Sequence, residues 1–357
     1  MPSTRGDFAA RARHALGVVG EAPGGLSRRL RVALGDIVVD LDAPPVVTEF
    51  VAERFSVEHP ADTPGDIASH LHVRGVDVTG RRTGRRVWRE GDSVWCADFP
   101  QVPGLTVRFR PGPPLAVETW LDQGPLLQVY KRLVAGVTLL HRLETLTTYA
   151  LLNPALLAAG IKGRFPLHAA AVARDGQGLV LAGPPGAGKS TLTTALAARG
   201  MRILSDNIVL VGGDGLWPFA EPVKLDDRSR ALAGAEGVDP GVGGGSALPA
   251  THARSTTLFD PVAGPVAPRA LVYLERGTDG RLDDLGALDV EQLLELNRLA
   301  FELHAFYLYR AMARLAIEPL AGEHDTVGAA LQGTRVLRLV VADGSVDEAA
   351  ERLLALL

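Results

Sequence analysis

Gly183-Pro184-Pro185-Gly186-Ala187-Gly188-Lys189-Ser190 is the stretch whose reading decides the architecture of this 357-residue chain. It fits G-x-x-x-x-G-K-[ST], and its flanks agree with the motif. The apolar run Leu179 to Ala182 reads as a strand, and Ser190 to Arg199, closed by Gly200, reads as a helix. Glycines let a backbone curl until successive N–H groups face phosphate oxygens, and the helix N-terminus adds positive potential. In such a loop Lys189 reaches the outer phosphates, the Ser190 hydroxyl ligates Mg²⁺, and Thr191 carries the chain into the helix. Strand, loop and helix in this order predict an α/β fold with a nucleotide bound at Gly183 to Thr191.

Composition sharpens the lysine. Only four of the 37 basic residues are lysines (Lys131, Lys162, Lys189 and Lys224), the rest being arginines. A chain that uses arginine almost everywhere has kept a lysine where the loop requires a compact cation. The formal net charge of −4 argues against a nucleic-acid binder, and 46% hydrophobic with 22% charged residues is ordinary globular composition. One cysteine, Cys96, excludes intrachain disulfides and multi-cysteine metal sites, and reads as a half-buried strand residue. Met1 to Gly17 has no apolar signal-peptide core, and Leu133 to Ile161 is too interrupted by His141, Arg142, Glu144 and Pro154 for a membrane span. These features predict a cytoplasmic protein with neither nucleic-acid nor membrane partners.

Upstream of the loop, His168 to Ala173 and Leu179 to Ala182 flank an Asp175-Gly176-Gln177-Gly178 turn, which predicts a hairpin. Downstream, Met201 to Leu204 is a buried strand ending in Ser205-Asp206-Asn207. Ile208 to Val211 and Leu216 to Phe219 flank a glycine-rich turn, residues 233–250 read as a mobile loop, and Arg269 to Leu274 reads as a strand. Val290 to Leu315 reads as a helix with an apolar face of Leu293, Leu296, Leu299, Ala300 and Leu303. Strand Val336 to Ala342 and a helix opened by a Ser345–Glu348 capping box end the chain. The first 120 residues are β-rich, with runs at Leu30 to Leu41 and Asp77 to Val87; a helix from Gly124 to Leu152 follows, ended by Asn153-Pro154. This division predicts domains at 1–160 and 161–357.

The loop alone does not specify a reaction. No L-S-G-G-Q-like segment is present at Gly241 to Ser246, and no lysine sits in a guanine-reading motif. Leu271 to Glu275 ends in one carboxylate, whereas Asp206, 17 residues after Lys189, closes the strand that follows the loop helix.

His168, Lys189 and Asp206, at spacings of 21 and 17 residues, resemble the HPr kinase/phosphorylase group, whose P-loop domain is related to that of phosphoenolpyruvate carboxykinase. Leu167-His168-Ala169 and Leu204-Ser205-Asp206-Asn207 carry the likeness, which covers about residues 165–225. It implies a P-loop kinase domain on a mixed sheet, behind a β-rich α+β N-terminal domain to which substrate recognition is one role open. It also implies that ATP and Mg²⁺ are used. Asp206 would be the general base, with His168 beside it; Ser190, Asp206 and Asn207 would lie at the metal. Asn207 stands where the family usually has a second aspartate, so the reverse, phosphate-driven reaction is not implied. The family's glycine-rich signature with a metal-binding glutamate is not visible, and Glu221 is the substitute as second ligand. Arg254, among hydroxyls and His252, is a candidate phosphate clamp. The expected activity is phosphoryl transfer to a hydroxyl, Ser or Thr of a protein or peptide. The alternatives are a nucleotide-gated ATPase without an acceptor and a small-molecule kinase. The family also forms oligomers. His70-Leu71-His72 places two imidazoles on one strand face, a weak metal signal.

Overall fold

Ile37 to Ala43 buries every second residue, as a strand covered on one face must. The computed structural model describes residues 27–58, 64–72, 87–99, 102–121, 139–225, 255–257, 264–287, 289–303, 322–342 and 344–357. The strand expected from Asp77 (Val87 excepted), the first half of the helix from Gly124, the loop at 233–250 and Arg254 lie outside the described residues. Within them the chain is a mixed α/β protein with three sheets and a two-stranded ribbon.

The first sheet has eight strands: β1 (Arg28–Leu34), β2 (Ile37–Ala43), β3 (Ser56–Glu58), β4 (Ile67–His72), β5 (Val87–Glu90), β6 (Ser93–Phe99), β7 (Val102–Arg110) and β8 (Leu115–Leu121). Their order is β3-β1-β2-β4-β8-β7-β6-β5, with β4 parallel to both its neighbours. The β-rich run Leu30 to Leu41 is a hairpin. It breaks at Gly35, whose φ of +74° and lack of a side chain let it reach within van der Waals range of the Pro218 carbonyl. One face packs on helix α1 (Pro45–Ala52) and on a helical run formed by α2 (Leu139–Thr147), a π turn (Thr148–Leu152) and α3 (Asn153–Ile161). Phe50, Phe109 and Tyr149 are its largest buried rings; burial pushes the Tyr149 phenol up to about 12. Cys96 is fully buried rather than half-buried, and burial raises its thiol far above the ordinary range, so it is an inert core residue.

Asn153-Pro154 does not end the helix. The π turn draws the Asn153 N–H back to the Thr148 carbonyl, and Pro154 falls in the first turn of α3, where its missing N–H is tolerated. The chain therefore stays helical to Ile161.

The second sheet contains β10 (Ala170–Arg174), β11 (Gln177–Ala182), β12 (Arg202–Ser205), β17 (Ala267–Gly277), β18 (Leu282–Gly286) and β19 (Arg335–Ala342), ordered β12-β10-β11-β17-β19-β18. Asp175 and Gly176, both at positive φ, make the two-residue turn of the expected β10–β11 hairpin. Helices α4 (Lys189–Ala198) and α7 (Val346–Leu354) cover one face; α5 (Val290–Leu303) and α6 (Glu323–Leu331) cover the other. Two expectations fail in these helices. Leu296 of α5 is 55% exposed, and Asn297 is buried in its place beside Leu293 and Leu294. Ser345 makes no cap; its hydroxyl donates to the Ala342 carbonyl (2.9 Å), and Glu348 pairs with Arg352 one turn on.

The third sheet, β14 (Gly215–Trp217), β13 (Val209–Gly212) and β9 (Phe165–Leu167), stands between two cores. Leu210, with Ile208 and Phe219, joins the core of the eight-stranded sheet. Val209, Val211, Phe165 and Leu167 face α5 and α6. A ribbon of β15 (Val223–Leu225) and β16 (Ser255–Thr257) follows.

Candidate active site

Strand direction brings the three motifs to one sheet edge. β10 is antiparallel to both β11 and β12, so the chain leaves β11 and β12 at the end where it enters β10. Gly183 follows β11, Asp206 follows β12 and His168 precedes β10, although 38 residues of sequence separate the outer two. The pairing of Ala171 with Ser205 sets the local register, with Asp206 next along.

The loop's glycines are required by geometry. Gly183, at φ +145°, lies against the Leu274 carbonyl, where a Cβ would come within 2.6 Å of the oxygen. Gly186 (+80°) and Gly188 (+98°, the residue before α4) are also left-handed. The Ala187 N–H turns back to the Pro184 carbonyl at 3.1 Å, and Ala187 is buried against Leu192 and Val223. Pro184 and Pro185 stiffen the outer limb. Lys189 Nζ donates to the Gly183 carbonyl at 2.9 Å and approaches that of Pro184 at 3.4 Å. Burial pulls its ammonium below the ordinary lysine range, against the Asp206 carboxylate, which holds it up. Such a partly desolvated cation gains most from an anion placed opposite it.

Ser190 Oγ donates to Asp206 Oδ2 at 3.0 Å. Asp206 is 6% exposed. A hydroxyl and a carboxylate in contact at the loop are hard oxygen donors of the kind Mg²⁺ takes, and so fit that ion. Thr194 Oγ1 donates to the Ser190 carbonyl (2.8 Å), which ties the first turn of α4 together. Thr191 and Asn207 are half-buried beside these groups, and Ser205 Oγ accepts the Ile208 N–H (3.1 Å), fixing the bend after Asp206. Glu221 is half-buried, two residues before Val223, which packs on Ala187 and Leu192; this brings its segment alongside the loop helix. The structure therefore brings Ser190 and Asp206 into contact, Lys189 within the field of the Asp206 carboxylate, and His168 to the same edge.

Two residues outside the loop bear on the site: Glu275, the single carboxylate that closes the strand from Leu271, and Asn297, which no sequence signal marked. β17 is the direct parallel neighbour of β11, so Glu275 sits beside the loop, one residue past Leu274. Asn297, 129 residues beyond His168, bonds its backbone. Carboxylates flank the imidazoles of the first sheet: His70 Nδ1 lies 3.4 Å from Asp42 and His72 Nε2 3.6 Å from Glu118, while burial pulls the His72 imidazole below the ordinary histidine range. Among the described residues no group of three or more His, Cys, Asp or Glu could hold a metal ion, and no helix is long and apolar enough to cross a membrane. No protein-family model and no curated protein matches the chain.

Proposed function

We propose that this chain is an ATP- and Mg²⁺-dependent kinase that transfers the γ-phosphoryl group to a hydroxyl, that of Ser or Thr in a protein or peptide. The observation that carries the reading is the Ser190–Asp206 hydrogen bond at the mouth of a glycine-built anion cradle. The spacing of His168, Lys189 and Asp206, similar to that of HPr kinase/phosphorylase, adds to it.

Phosphoryl transfer to a hydroxyl needs the phosphates held, their charge neutralised and one proton acceptor near the attacking oxygen. The N–H groups of Gly186, Gly188, Lys189 and Ser190, together with the ammonium of Lys189, would hold and neutralise the phosphates. Ser190 and Asp206 would hold Mg²⁺, with Asn207 and Glu221 as further oxygens; the ion when bound would draw charge from the β- and γ-phosphates. Asp206 Oδ would take the hydroxyl proton as the oxygen attacks phosphorus. His168 is the second titratable group at that edge. Asn207 cannot accept a proton, so Asp206 is the one of the two that serves as base.

The test uses the full chain with [γ-³²P]ATP and Mg²⁺, presented with Ser- and Thr-containing peptide pools. Label enters peptide; Lys189→Ala lowers nucleotide binding, and Asp206→Ala lowers transfer at least ~100-fold while still binding ATP. Full transfer by both variants overturns the assignment. Label found only in free phosphate replaces it with an ATPase.

A further inference from the structure

His168 occupies the crossing between two sheets. β9 belongs to the three-stranded sheet and β10 to the six-stranded one, and His168 is the centre of the three-residue turn between them, closed by the Ala169 N–H on the Leu167 carbonyl at 2.9 Å. So tight a junction leaves the outward peptide groups of Pro166 and His168 without a neighbouring strand to bond. Asn297 supplies one. Its Nδ2 donates to the Pro166 carbonyl at 2.8 Å and its Oδ1 accepts the His168 N–H at 2.7 Å, with the side chain 6% exposed.

We propose that Asn297 is a positioning residue that sets His168 at the phosphoryl-transfer edge by bonding its backbone from helix α5; this rests on the kinase reading above. The O(i−1) and N–H(i+1) groups around Leu167 point the same way, and a primary amide is the side chain that meets both. Asn is short enough to reach them from α5 with its neighbours Leu293 and Leu294 still in the core. No apolar residue can do this, which explains why a polar amide occupies the helix's inner face.

Three variants separate positioning from a purely structural anchor. Asn297→Leu keeps the shape and loses both bonds. Asn297→Asp keeps the acceptor for His168 but faces the Pro166 carbonyl with a carboxylate oxygen, so it is at least as damaging to stability as Leu. Consumption of [γ-³²P]ATP with Mg²⁺ by the full chain, counted as labelled phosphate plus labelled Ser/Thr peptide, is read beside the unfolding midpoint. Positioning requires the orders to cross: Asp within threefold of wild-type rate, Leu tenfold or more below it. It also requires that His168→Ala/Asn297→Leu be no slower than His168→Ala within twofold. Rates that fall in parallel with stability, or losses that multiply in the double variant, overturn the proposal. Should the Leu variant not fold, Asp alone decides, and a tenfold loss there overturns it. Lys189→Ala is the control on the underlying reading: if it consumes ATP at the wild-type rate, the kinase reading fails, whatever the Asn297 variants do.

Discussion

Gly183 shows how little room the site leaves. Any side chain there meets the Leu274 carbonyl, and its φ of +145° disfavours L-residues independently of space. Gly183→Ala is expected to cost about 1–3 kcal/mol of stability and to weaken binding of a fluorescent ATP analogue about tenfold or more; unaltered affinity would refute the close-approach account. The identity of Gly183 was legible as a motif letter, but its reason was not, because Leu274 is 91 residues away. The lysines repeat the lesson. Lys189 could be assigned from its neighbours in the chain. Lys162 could not: its partners are Asp66, at 2.9 Å, just before β4, and the Asp36 carbonyl, at 3.1 Å, in the β1–β2 turn, both about a hundred residues or more earlier in the chain.

Helix α5 is the element whose face was misread. Leucines at helical spacing point to a stripe through Leu293 and Leu296, yet the helix turns so that Leu293, Leu294 and Asn297 go inward and Leu296 goes out. Two buried peptide groups needing partners outweigh one leucine, since each orphaned group costs about 1–3 kcal/mol and an exposed leucine forgoes a similar or smaller sum. Leu296→Glu is therefore expected within about 0.5 kcal/mol of wild type, whereas Leu293→Glu loses about 2 kcal/mol or more, read by denaturant midpoints. Equal losses would mean that the stripe faces inward after all. At the π turn the same kind of choice defeats a breaker signal: Asn153-Pro154 is a stop in most sequences, but one widened turn places the proline where a helix accepts it.

Among the described residues, the three-stranded sheet contributes side chains to two of the cores. β13 buries Leu210 under the eight-stranded sheet and Val209 with Val211 under α5 and α6, and Phe219, just past β14, is fully buried with the first set. Arg164 adds a polar seam, its guanidinium 3.4 Å from the centre of the Trp217 ring and ion-paired to Asp36. Phe219→Ala is expected to cost about 3–5 kcal/mol and to loosen the eight-stranded sheet although the residue lies in the later half of the chain. Amide exchange in β1, β2 and β4 would show it, and protection unchanged there would refute the coupling. What the sequence by itself determined was local: the glycine-rich loop with its strand and helix, the Asp175-Gly176 hairpin, and the alternation of β2. Each rests on interactions within about twenty residues, where backbone geometry and side-chain type suffice. Only the tertiary structure decided that an antiparallel strand inserts between β11 and β12, that Leu274 closes on Gly183, and that Asn297 holds His168. Those outcomes depend on which distant strand satisfies a buried peptide group, and no local pattern records that choice.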